Sequence, residues 1–212
     1  LLAFVAVMFI TPDSLFIRLS NLDTWGLVFY RGIIPFFTVF FGMLLIYKLN
    51  FFKILFNSGV HGILYIATFS ITNITFVVSI QNTNVANTLV MIATAPMLSA
   101  ILGAIFLKEP PDRKTLISII ITFFAIIYIF FDSLKVGNLY GDILGFITAF
   151  GLAVGAITIR SAKTKNLVPA AVVGKLFVAS FALFFIESYV LVDRDLFIVP
   201  LMCILCLSLI HI

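Results

Sequence analysis

Apolar residues run along this chain in blocks, at roughly 1–20, 25–47, 58–80, 84–107, 115–131, 142–160, 168–192 and 196–212. Most blocks hold about the 20 residues a helix needs to cross the hydrocarbon of a bilayer. Barrel-type alternation is missing, and a lone segment in lipid can satisfy its backbone N–H and C=O groups only as a helix. Eight transmembrane helices are predicted. Pro12, Pro35 and Pro96 fall inside blocks and mark kinks that neighbouring helices must accommodate.

Polar positions inside the blocks follow the helical period. Thr68, Thr72, Thr75 and Ser79 recur at i, i+4, i+7 and i+11 on one face of the third block, with Asn73 beside them. In the fourth block Asn87 and Thr94 share a face with Met91 between them. These two faces are the expected wall of a cavity that hydrogen-bonds a polar substrate. The competing expectation is that the hydroxyls bond their own preceding carbonyls or join helices together. Asn73 and Asn87 are the stronger candidates, because their amides should be harder to satisfy so locally. Small residues at four-residue spacing, Ala95, Ser99 and Gly103, then Gly141, Gly145, Ala149 and Ala153, let helix backbones approach closely.

Composition fixes the solvent. With 63% of residues hydrophobic, 10% charged and a mean hydropathy of +1.25, the chain cannot coat a soluble core, so its surface must face lipid. The 25 phenylalanines are then lipid-facing bulk and indicate no aromatic substrate. Basic residues alternate between loops. Lys48 and Lys53, then Lys108, Arg113 and Lys114, then Arg160, Lys163 and Lys165 follow the even blocks, against only Arg18, Lys135 and Arg194 on the other side. The positive-inside bias makes the first set cytoplasmic, and with it the start of the first helix. The net charge of +4 therefore reports topology, and no basic face suggests nucleic acid.

Four charges inside or near the blocks carry the candidate chemistry. Asp13 and Arg31 lie at matching depth, roughly 13 Å inside antiparallel helices joined near Asn21 to Asp23, and are expected to form an ion pair. An unpaired charge there costs on the order of 3 kcal/mol, although Arg31 could snorkel outward instead. Lys175 has no evident local partner, and either snorkels to the inner surface or meets an anionic group of the substrate. Glu187, twelve residues further on, is placed at the external interface or in ion coupling.

Setting "LFIRLSNLDTWGLVFYRG" (15–32) against "ITIRSAKTKNLVPAAVVGKL" (157–176) aligns Arg18 with Arg160 and Arg31 with Lys175, and puts Gly155 opposite Asp13. The first and sixth helices then correspond. Five helices separate them, so the second half enters from the opposite side as an inverted repeat. The block "TNVANTLVMIATAPMLSAILGAIFLKEPPDRK" (83–114), with its polar start, Ala93 to Pro96 and the closing Glu109, resembles the fourth helix of EamA-type carriers in the drug/metabolite transporter superfamily. "GNLYGDILGFITAFGLAVGAITIRSAK" (137–163) is similar to the start of that family's second repeat. The resemblance implies ten helices in two inverted sets of five around a central cavity used for alternating access. Two departures are Lys108, where the family usually has Gly, and a fifth helix without its usual glycines.

The expected fold is therefore an all-α integral membrane protein, a multi-pass helical bundle of inverted five-helix repeats, here a fragment with about eight of ten helices. Residues 1–134 form the first repeat and 137–212 a truncated second. The expected function is a secondary carrier in the plasma membrane that moves a small polar metabolite, amino acid-like or another small organic solute, by alternating access, with export the favoured direction. The candidate substrate contacts are Arg31, Lys175, Asn73, Asn87, Thr72 and Thr94, with Asp13 and Glu187 as ion-pair or coupling groups. Its partners are a small-molecule substrate and the bilayer, with no nucleic acid; a homodimer stays open. The alternatives are a membrane-embedded lipid-modifying transferase and a non-transporting membrane subunit. Enzyme chemistry has little support and no cofactor is implied. Cys203 and Cys206 form a CxxC among apolar residues, His61 and His211 stand apart, and no phosphate loop or hydrolase motif occurs.

Overall fold

The computed structural model describes residues 12–48, 50–136, 138–163, 165–186 and 194–203, with backbone only at 129, 130 and 132–136. Its elements are α1 (Asp13–Leu19), α2 (Thr24–Tyr47), α3 (Asn50–Asn82), α4 (Val85–Ile92), α5 (Ala95–Leu102) running into a π-helical stretch Gly103–Leu107, α6 (Arg113–Val136), α7 (Leu139–Ala162), α8 (Val168–Ala182) and α9 (Asp195–Leu201). No strand occurs among the described residues. Among the described residues, four stretches are long and apolar enough to cross a membrane: Thr24–Tyr47, Asn50–Asn82, Val85–Leu107 and Leu139–Ala162. Glu187, Cys206 and His211 lie outside the described residues.

Polarity is arranged for lipid. Leu45 and Phe184 expose 83% and 84% of their surface, whereas Asp13, Arg31, Asp142, Lys175 and Asp195 are buried. Large apolar side chains outside and charges inside, on helices of spanning length, make the chain a multi-pass helical membrane protein.

The chain divides into two compact units, residues 1–66 with 165–212, and residues 67–164, so the division falls within α3. In the first unit α2 lies along α8. Gly32 permits this approach, since a Cβ there would lie 2.7 Å from the Ala179 backbone nitrogen and 2.8 Å from the Lys175 carbonyl oxygen. Val39, Met43, Phe51 and Val172 form a core beside it, and Trp25 stacks on Phe185 with centroids 4.8 Å apart. Pro35 sits inside an unbroken α2, where it has no N–H to give the Arg31 carbonyl. The third apolar block is extended backwards by a short helical piece that kinks at Gly59, whose φ of 57° suits glycine. Lys165 donates to the Ser58 carbonyl at that kink.

In the second unit α7 packs against α4 and α5. The fourth apolar block is interrupted before Pro96, and the buried Thr94 hydroxyl closes the break by donating to the Met91 carbonyl at 2.6 Å. At the end of the π-helical stretch Lys108 adopts the left-handed conformation, φ 58° and ψ 34°. A side chain there costs about 1–2 kcal/mol. Replacement Lys108→Gly is expected to raise stability by about 1 kcal/mol, after allowing for glycine's larger unfolded-state entropy. Thermal unfolding of the detergent-purified protein would show this as a higher midpoint.

Candidate functional site

The first unit holds a buried charge cluster. Asp23 caps α2, its carboxylate accepting from the Trp25 and Gly26 amides at 3.1 Å each, and so fixes the short turn that folds α1 back on α2. That turn brings Asp13, in the first turn of α1, against Arg31. The pair is bidentate: Arg31 Nη1 meets Asp13 Oδ1, and Nη2 donates to Oδ2 at 3.0 Å. Both side chains are buried, so Arg31 does not snorkel outward. The Met202 thioether lies 3.5 Å from Nη1, and the Cys203 thiol donates to the Tyr30 carbonyl.

Lys175 corrects the expectation of a lysine that snorkels to the inner surface. It is only 3% exposed and lies within electrostatic reach of Arg31, Cys203 and Asp13. The reason is the glycine contact, which draws the α8 backbone against α2 at the Lys175 carbonyl and leaves the side chain inside the unit. Gly155 carries no acid, but the carboxylate near Lys175 is Asp13 itself.

The second unit holds the other candidates, and their placement differs from expectation. Thr72 donates to the Thr68 carbonyl at 2.7 Å, and Asn73 donates to the Phe69 carbonyl at 2.7 Å. The amide of Asn73 is thus served by its own helix after all, because its side chain reaches back one turn to the i−4 oxygen. Thr94 is fully buried at the helix break. Thr75 instead reaches across to Thr148 at 2.8 Å, and Ser79 reaches Thr88 at 2.9 Å and the Gly141 carbonyl at 2.7 Å.

Asn87 leads to a residue that sequence reasoning missed. Its amide lies 3.4 Å from Asp142 Oδ2, while the Thr83 hydroxyl donates to Asp142 Oδ1 at 2.6 Å. Asp142 is completely buried in the first turn of α7, where a helix start favours a carboxylate. In the sequence it reads as the polar edge of an apolar block, and only its partners reveal it as an interior anchor. Asp195 escaped notice in the same way. It accepts from the Ser20 hydroxyl at 2.9 Å and the Asn21 amide at 3.1 Å, beside an Arg194 that donates to the Leu19 carbonyl at 2.6 Å. Glu109 and Arg160 form an ion pair that is about half exposed and worth at most about 1 kcal/mol.

Two outcomes follow. Asp13→Ala and Arg31→Ala should each cost about 3–5 kcal/mol by breaking a buried pair, whereas the combined Asp13→Leu and Arg31→Met variant should recover only part of that, because the buried Lys175 then loses the Asp13 carboxylate. Unfolding midpoints of the three proteins in one detergent would check it. Asp142→Ala should cost about 2 kcal/mol by removing the acceptor for Thr83 and Asn87, and Asp142→Asn distinctly less, measured in the same way.

The family model of the EamA-like transporter family matches residues 1–131. No curated protein and no solved structure matches the chain.

Proposed function

The chain belongs to the EamA-like transporter family, and on that premise we propose that this membrane transporter is a secondary carrier, not an enzyme, exporting a small polar metabolite across the plasma membrane by alternating access. The observation that carries the proposal is the buried group Asp13, Arg31 and Lys175 inside a lipid-facing unit. Charged side chains at membrane depth are costly and cluster on substrate or ion routes. Arg31 offers a planar donor fork and Lys175 a mobile ammonium, a combination that can take a carboxylate or similar group while Asp13 exchanges partners. Asn87, Asn73, Thr72 and Thr94 are kept as secondary candidates for substrate contact, with Asn87 first among them because it reaches a side chain outside its own helix.

The chain is read further as two inverted repeats, 1–134 and 137–212. Three observations support this. The matched stretch closes beside that boundary; α2 and α8, which the repeat alignment pairs, pack against each other; and each compact unit draws helices from both halves. The basic loops at 48–53, 108–114 and 160–165 are placed in the cytoplasm, together with the start of the first helix.

The test is metabolite export from cells expressing the full-length protein, compared with Lys175→Ala at equal membrane level. A compound should accumulate in the medium with the parent protein and about tenfold less with the variant, the effect of losing one charge-assisted contact. Lys175→Arg should retain part of the activity. Equal export by all three proteins would remove Lys175 from the substrate route.

A further inference from the structure

Between α5 and the start of α6 the second unit holds a cavity of about 400 Å3 that the transport proposal does not use. One wall is apolar, formed by Ala93, Pro96 and Met97 at the interrupted helix. The other is a row of hydroxyls, Thr115, Ser118 and Thr122, at i, i+3 and i+7 on one face of α6, with Ile119 among them. The rest of that helix faces outward with Leu116, Ile117, Ile120 and Ile121, as a lipid-facing surface should.

The hydroxyl hydrogens are already committed. Ser118 donates to the Lys114 carbonyl at 3.1 Å, Thr122 to the Ser118 carbonyl at 2.8 Å, and Thr115 to Asp112 Oδ1 at 2.5 Å. What the row presents to the cavity is therefore lone pairs, so this wall accepts hydrogen bonds. Charges of both signs stand at the mouth. Asp112 Oδ1 also takes the Thr115 amide at 2.9 Å, and these bonds hold its carboxyl below the usual carboxylate range, leaving Oδ2 for a ligand. Lys114, two residues on, makes no ion pair or side-chain hydrogen bond among the described residues.

The complement of this surface is a head that carries an ammonium with N–H donors and an adjacent anion, on a body that can lie against apolar side chains. We infer that the cavity seats the headgroup of a phospholipid bearing a primary ammonium and a phosphate. The ammonium faces Asp112 and the hydroxyl row, the phosphate faces Lys114, and the acyl chains run along the apolar flank of α6. A trimethylammonium head has no N–H to give the acceptors, and an uncharged glycerol head has no cation for Asp112. The site is thus selective among lipids of nearly equal size. The inference stands whatever the cargo of the carrier.

Native mass spectrometry of the full-length protein tests it, after incubation in micelles with equal amounts of phosphatidylethanolamine, phosphatidylcholine and phosphatidylglycerol. Phosphatidylethanolamine should be retained over the other two. Its preference should fall about twofold to fivefold in Asp112→Asn and in Lys114→Gln, the range spanned by an exposed ion pair. Asparagine is as good a helix cap as aspartate, so Asp112→Asn removes the charge and keeps the start of α6. Equal retention of the three lipids overturns the inference, and so does a preference that both variants leave intact. Binding of soluble phosphoethanolamine as tightly as the lipid would also overturn it, since the acyl chains would then contribute nothing.

Discussion

A charge carried into hydrocarbon must bring its counter-charge with it, and the first unit is organised around that constraint. Arg31 is tolerable inside α2 because Asp13 meets it with both oxygens. The geometry of that meeting is set by a turn of a few residues, which Asp23 holds at the α2 start. Lys175 can join the pair because a glycine opposite it removes the side chain that would keep α8 away. A cap, a pair and a close approach are therefore one connected arrangement.

The second unit meets the same solvent with weaker groups. Its hydroxyls and amides mostly return to nearby carbonyls, Thr72 and Asn73 to their own helix and Thr94 across the break to Met91. Where they cross between helices, Ser79, Thr83 and Asn87 converge on Gly141 and the buried Asp142 at the start of α7, while Thr75 meets Thr148 and Ser79 also meets Thr88. Small side chains let the backbones come close, and the polar contacts then fix which backbones meet. Polarity inside this unit thus specifies packing.

Much of the helical architecture was legible in the hydropathy pattern, since length and composition decide what can cross lipid. The Asp13–Arg31 pair was legible too, because equal depth on antiparallel neighbours follows from counting residues across a short turn. The position of Lys175 was not. Its charged neighbours Asp13 and Arg31 lie more than a hundred residues away, and no local rule foretells that Gly32 would draw α8 against α2 at that level. Asn73 misled for a different reason: an amide was expected to need a distant partner, yet one helical turn sufficed. Asp142 and Asp195 sit at block edges, where an acid looks solvent-facing until its partners are known. Lys108, by contrast, announced itself as a departure from a glycine position, and it occupies a backbone conformation that glycine suits.

The contact at Gly32 also bears on motion. At Gly32 the two helices touch without a side chain of α2 between them, so one axis can tilt over the other at that level. Val39 and Met43 against Val172 along one arm, and Trp25 against Phe181 and Phe185 along the other, must repack as it does. Such a contact is a fulcrum: displacements are smallest there and grow along both arms of the pair. Arg31 and Lys175 lie within a few residues of it, so the charged cluster would stay nearly stationary while the ends of α2 and α8 swing.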